Sequence, residues 1–127
     1  MTTVALDTSV LMAPVEADLR LFDELDRLLG AYDLVVPDAV RRELDALADA
    51  EGGVAGRAAS VGRDLADRAA VVETAAGSAD DALVELAESG DVDAVATLDR
   101  PLRERVLAAG GAVLTARGRG ILQLIEP

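Results

Sequence analysis

Five acids stand where short apolar runs end or amphipathic stretches begin. Asp7 follows Val4-Ala5-Leu6, Asp99 follows the run from Val92 to Thr97, and Asp80 and Asp81 follow Ser78. Glu43 falls on the margin of the stripe formed by Val40, Leu44, Leu47 and Ala48. Carboxylates gathered at one place repel and raise each other's pKa values unless a cation sits among them. Their oxygens suit hard divalent ions such as Mg²⁺ or Mn²⁺. Two such ions about 3.5–4 Å apart clamp an in-line phosphodiester displacement and activate water. Each acid also has a local explanation. Asp7 and Asp99 could cap the helices that follow them, Asp99 with Pro101 just inside. Ser78-x-x-Asp81 resembles a capping box with Asp in place of Glu or Gln. Glu43 could turn outward or pair with an arginine, since a carboxylate facing a core costs several kcal/mol (~2–7 for an unpaired polar group). Asp80, three and four residues before Leu83 and Val84, falls on the inward side of its helix. Asp81 stays open as the alternative, because helix phase is least certain in the first turn.

The composition narrows the chemistry to this kind. The 127 residues contain no Cys, His, Lys or Asn. Thiol nucleophiles, zinc knuckles, a Ser-His-Asp triad, a phosphate-loop lysine and a Schiff base are thereby excluded. Carboxylates, hydroxyls and arginines remain. With 24 acids against 12 bases the net charge is −12. Such acidity without lysine is a halophile-like surface bias. In molar salt the Debye length falls to about 3 Å, so net charge alone does not exclude a polyanionic partner.

The elements that must carry these acids alternate along the chain. Apolar runs read as buried strands are Val4–Leu6, Leu34–Val36, Ala70–Val72, Val92–Thr97 and Ala112–Leu114, with Ile121–Ile125 as a last short one. Helical spacing covers Val15–Leu29, Asp38 to about Ala50, Ala58–Arg68, Ser78 to near Gly90, and Pro101–Ala109. Glycines at 52, 53 and 56 interrupt the pattern in the middle, and Arg117-Gly118-Arg119-Gly120 reads as a second flexible place. Alternating β and α units with continuous apolar strands predict an α/β fold. The expectation is a single domain over residues 1–127, a three-layer α/β/α sandwich around a mostly parallel sheet of about five strands. Ligands bind beyond the carboxyl ends of such strands, which is where Asp7 and Asp99 fall. Met1-Thr2-Thr3 matches no secretory leader and no apolar run is long enough to span a bilayer, so a soluble cytoplasmic protein is expected.

Four segments together resemble the PIN-domain nucleases, over essentially the whole chain. Val4-Ala5-Leu6-Asp7-Thr8-Ser9-Val10-Leu11 is similar to the family's opening motif. Val36-Pro37-Asp38-Ala39-Val40-Arg41-Arg42-Glu43-Leu44 is similar to the second, Ala79-Asp80-Asp81-Ala82-Leu83 to the third, and Val95-Ala96-Thr97-Leu98-Asp99-Arg100 to the fourth. The resemblance implies that Asp7, Glu43, Asp80 (or Asp81) and Asp99 hold one or two Mg²⁺ or Mn²⁺ ions. It further implies that Thr8, Ser9 and Thr97 orient ligands or water. Ser9 stands where Asn is commoner, Leu98 where a polar residue is frequent, and Pro101 where a further acid is frequent.

The implied activity is a metal-dependent endoribonuclease that hydrolyses RNA phosphodiesters and leaves a 5′-phosphate. The biological role is either that of a toxin ribonuclease with a small antitoxin partner or that of a ribosomal-RNA-processing protein with assembly factors. A homodimer is typical of the family. Arg41, Arg42, Arg100, Arg117 and Arg119 lie beside a motif or in the glycine-rich loop, where they could meet RNA phosphates. Arg103 and Arg105 suit surface ion pairing at least as well. With Phe22 and Tyr32 as the only aromatic residues, base stacking is poor. The competing reading is a catalytically silent PIN domain that binds RNA or protein. A phosphoacceptor receiver domain, which also clusters aspartates at a sheet edge, resembles others of its kind in needing a late lysine that this chain lacks.

Overall fold

The computed structural model describes residues 2–127. Strand β1 (Thr2–Leu6) leads into helices α1 (Thr8–Glu16) and α2 (Leu21–Leu29). Strand β2 (Tyr32–Pro37) leads into α3 (Asp38–Ala50) and α4 (Gly53–Ala66). Then follow β3 (Ala70–Val72), α5 (Ala79–Ser89), β4 (Ala94–Ala96), α6 (Arg100–Ala108), β5 (Ala112–Ala116) and β6 (Leu122–Ile125). The sheet has six strands in the order β3-β2-β1-β4-β5-β6. All pairings are parallel except the antiparallel β5–β6 pair. From β1 the chain moves outward to β2 and β3, then crosses back to β4 and moves outward the other way. Right-handed crossovers therefore place α1 to α4 on one face and α5 and α6 on the other.

Short aliphatic runs suffice for the central strands because both faces are covered. Val4, Ala5, Leu6, Val95 and Ala96 have no exposed surface. The residues Val4, Ala5 and Leu6 lie opposite Ala94, Val95 and Ala96. This fixes β1 beside β4 and brings their carboxyl ends level. At the far edge, the outward N–H of Leu122 donates to Glu24 Oε1 at 2.9 Å, and Arg27 donates to the Leu122 carbonyl at 2.8 Å. A salt-bridged pair on α2 thus satisfies part of an otherwise open strand edge.

The expected helix over Val15–Leu29 is two helices. Leu21, Leu25, Leu28 and Leu29 belong to α2, whereas α1 begins at Thr8, directly after the strand. Pro14 lies inside α1, near its end. Its missing N–H removes a single bond to the Val10 carbonyl in the last turns, a loss the short helix tolerates. Asp18, with φ of 53°, makes the corner between the two helices.

The glycine-rich break is also an ordered corner, with α4 beginning at Gly53 rather than Ala58. A Cβ on Gly56 would sit 2.3 Å from the Glu51 carbonyl oxygen, so the close approach of α3 and α4 requires glycine there. The segment Arg117–Gly120 is the tight connection between β5 and β6. It is closed by Arg117 N–H donating to the Ile121 carbonyl at 2.7 Å, with positive φ at Gly118 and Gly120. The sequence expectation of about five strands becomes six, because Leu122–Ile125 pairs with β5.

Candidate active site

Asp7 directly follows β1, and Asp99 lies three residues beyond the end of the neighbouring β4, at the point where the strand order reverses. In open α/β sheets this is the crevice that receives ligands. Asp7 N–H donates to the Ala96 carbonyl at 3.0 Å, continuing the β1–β4 pairing by one residue. Both aspartates occupy N-cap positions, of α1 and α6, yet neither side chain caps its helix. The local explanation that the sequence allowed for each is therefore not the one the fold uses.

Asp7 is 4% exposed, and its carboxylate is held by hydroxyls instead. Ser9 Oγ and Thr97 Oγ1 each donate to Asp7 Oδ2, both at 2.7 Å. A hydroxyl has one proton to give, so each then serves as an acceptor. Leu98 N–H donates to Ser9 Oγ at 2.9 Å, and Asp99 N–H donates to Thr97 Oγ1 at 3.0 Å. The network couples the Asp7 carboxylate to the backbone that presents Asp99. Among the described residues, Asp7 Oδ1 accepts no hydrogen bond and is not sealed from solvent, which leaves it free to act as a donor atom. The Thr8 hydroxyl is buried and has no hydrogen-bond partner.

Asp80 lies in the first turn of α5, opened by Ser78, whose Oγ accepts the Asp81 N–H at 3.2 Å. Partial burial first, and then the charges of Asp7, Asp99 and Glu43, push the Asp80 carboxyl above its ordinary value, with Arg105 opposing. The same three acids singled out in the sequence therefore act on Asp80 through space. Asp81 is turned elsewhere: Arg105 donates to its Oδ1 at 2.8 Å, and this arginine, followed by the Ser78 hydroxyl, holds its carboxyl below the usual range. Surface ion pairing was expected of Arg105, while its partner, 24 residues away, is set by the fold and not by the spacing.

Glu43, on α3, is exposed, and its flanking arginines do not pair with it. Arg41 pairs with Asp67 and Arg42 with Asp38, at 2.8 and 2.9 Å. Arg119 pairs with Asp18 in the β5–β6 connection. Among the described residues, Arg100 and Arg117 enter no ion pair and are free to meet a phosphate.

In chemical type the donor set fits a hard divalent cation: four carboxylates and no nitrogen or sulfur ligand. The four acids share an electrostatic field without converging on a point. Among the described residues, no three acidic side chains stand close enough together to hold one ion.

A family model described as a PIN-like domain matches residues 4–119. A solved structure described as the PIN domain endonuclease Utp24 superposes with a TM-score of 0.78 at 22% identity, covering 98% of this chain and 92% of that one. A domain of a functionally unknown protein from Methanocaldococcus jannaschii gives a TM-score of 0.67 at 17% identity, covering 93% of each chain. At these identities the likeness is one of fold. No curated protein matches the chain.

Proposed function

Because the chain belongs to the PIN-like domain family, we propose that it is a divalent-metal-dependent endoribonuclease whose site is the acid cluster at the β1–β4 edge. The observation that carries this reading is that Asp7 and Asp99 lie beyond the carboxyl ends of the adjacent strands β1 and β4, tied together through the Ser9 and Thr97 hydroxyls. Glu43 and Asp80, from two further elements remote in sequence, share the same field without converging, and no arginine pairs with Asp7, Glu43 or Asp99. Such a field of like charge opposes folding and persists where the charge has a use.

In this reading Asp7, Glu43, Asp80 and Asp99 hold one or two Mg²⁺ or Mn²⁺ ions. A bound ion supplies a Lewis acid for the phosphate and lowers the pKa of water. Ser9 and Thr97 keep Asp7 oriented, and through Asp99 N–H the same Thr97 fixes the start of α6. Such partners behind a ligand tune its geometry and basicity. Arg100 and Arg117 neutralise phosphates of the incoming strand. Hydrolysis adds the water oxygen to phosphorus and breaks the P–O3′ bond. The products are a 5′-phosphate and a 3′-hydroxyl that takes up a proton.

Cleavage of labelled single-stranded RNA with Mn²⁺ or Mg²⁺, with a chelator control, tests the proposal. Asp7→Asn and Asp99→Asn are each expected to lower the rate by about a hundredfold or more, a loss typical of removing a group that stabilises transition-state charge. Metal-independent cleavage, or full activity in both variants, would overturn it.

The separation of the acids favours a second reading, a catalytically silent domain that binds RNA. Tight RNA binding without turnover in either metal would select that alternative.

A further inference from the structure

A second feature of the same sheet edge lies on the β5 side of Asp99. A cavity of about 400 Å³ opens there between the end of α1, the α1–α2 corner, the β4–α6 turn and the β5–β6 connection. Its walls include Leu19, Leu98, Ala116 and Gly118, with Glu16 and Arg119 among them as charged groups. This size lies in the range of small-ligand pockets, which combine apolar walls with a few polar groups. Leu98 links it to the acids: it lines the cavity, while its N–H donates to Ser9 Oγ, which in turn donates to Asp7. The cavity thus reaches the residue next to Asp99.

We propose that this cavity is a nucleoside subsite that takes the base and ribose of one nucleotide flanking the scissile phosphate. The inference rests on the endoribonuclease reading for its biological substrate, but the binding itself does not depend on turnover. Aliphatic side chains, Leu19 and Leu98, meet the faces of the base in place of the missing aromatic platform. Glu16 offers an acceptor to a base amino group. Arg119 is 82% exposed and pairs with Asp18, itself 68% exposed. Exposed pairs of this kind contribute little stability, so the guanidinium can exchange its partner for a phosphate. The glycine at 118 has open space where a Cβ would stand, so the wall there is backbone alone.

The test is an amide NMR titration of the metal-free protein with adenosine monophosphate and, separately, ribose 5-phosphate. It is repeated on Ala116→Trp, which fills the cavity from an exposed position, and on Asp7→Asn. Adenosine monophosphate is expected to shift the amide signals of Leu98, Gly118 and Arg119, with ribose 5-phosphate producing under a third of the effect. The Ala116→Trp variant should lose the shifts and weaken binding of a fluorescent single-stranded RNA by about tenfold. Asp7→Asn should keep the shifts while losing cleavage. Equal shifts from the two ligands would mean a phosphate site only and would overturn the subsite, as would unchanged titration or RNA binding in Ala116→Trp. Base-dependent shifts in a protein that cleaves no RNA would uphold the subsite and sink the nuclease reading alone.

Discussion

At Asp7, one carboxylate oxygen takes two hydroxyl protons while the other stays free, and at Asp80 partial burial, followed by the surrounding negative charge, makes ionisation unfavourable. The folded Asp80 holds its proton more tightly than the unfolded chain does. Stability therefore falls as pH rises from the ordinary carboxyl value of 3.8 through the raised folded value. Asp80→Asn removes this cost and should raise the melting temperature by roughly 2–5 °C at pH 7 in the presence of a chelator. The gain should vanish below pH 3.8, where Asp80 is protonated in both states. Equal melting points at pH 7 would show that the acids do not crowd.

Tyr32 gives a second, independent readout. Burial and then the hydrogen bond to Asp26, at 2.6 Å, push its phenol from 10.0 up to about 12. As the chain's one tyrosine, without tryptophan, it can be followed alone by its alkaline absorbance change. The midpoint should lie near 12 in the fold and near 10 when unfolded. The stability this contributes is present below pH 10 and is lost as pH rises to about 12.

Among the elements, α1 carries the greatest consequence for the site, because it starts at the residue after Asp7. Its position is set by α4, where Gly62 has no exposed surface to spare. A Cβ there would meet the Leu11 backbone at 3.1–3.2 Å and a Leu44 methyl at 3.2 Å. Overpacking of this kind costs about 1–3 kcal/mol, against about 1 kcal/mol regained from alanine's helix propensity. Gly62→Ala should lower the denaturant midpoint and, by shifting α1 relative to β4, reduce RNA cleavage. Gly77→Ala, which has nothing within 4 Å, is the control and should leave both unchanged. A midpoint for Gly62→Ala at or above the native one would show that α1 yields freely.

For the whole molecule, charge is the dominant long-range term. Among the described residues, six ion pairs engage six of the 24 acids and half of the 12 arginines, so most of the negative charge there is unpaired. Self-repulsion of this kind weakens a compact state, and salt screens it. Melting temperature should rise by several degrees between about 0.1 M and about 2 M KCl, over which the Debye length falls from ~10 Å to ~2–3 Å. A flat or falling curve would remove the halophile-like reading of the composition. Among the described residues no helix is long and apolar enough to cross a membrane.

Most elements of the α/β order were legible in the sequence because apolar runs of three and helical spacing are local signals. The same locality placed Asp7 and Asp99 at or just beyond strand ends, while Ser9 and Thr97 came from the family resemblance. It failed where a local pattern was ambiguous. Val15–Leu29 has helical spacing, but only the packing of Leu11 against Gly62 shows that Thr8–Glu16 is a separate helix. The glycines at 53 and 56 read as a flexible break, until the positive φ at 53 and the approach of the Glu51 carbonyl to 56 show why they are needed. The tertiary structure alone decided that β1 lies against β4, which brings together residues 90 apart in the Asp7–Thr97 bond. It also decided that Asp80 faces the cluster while Asp81 takes Arg105. Those outcomes depend on strand order and crossover, and neither periodicity nor propensity carries information about which distant strand becomes a neighbour.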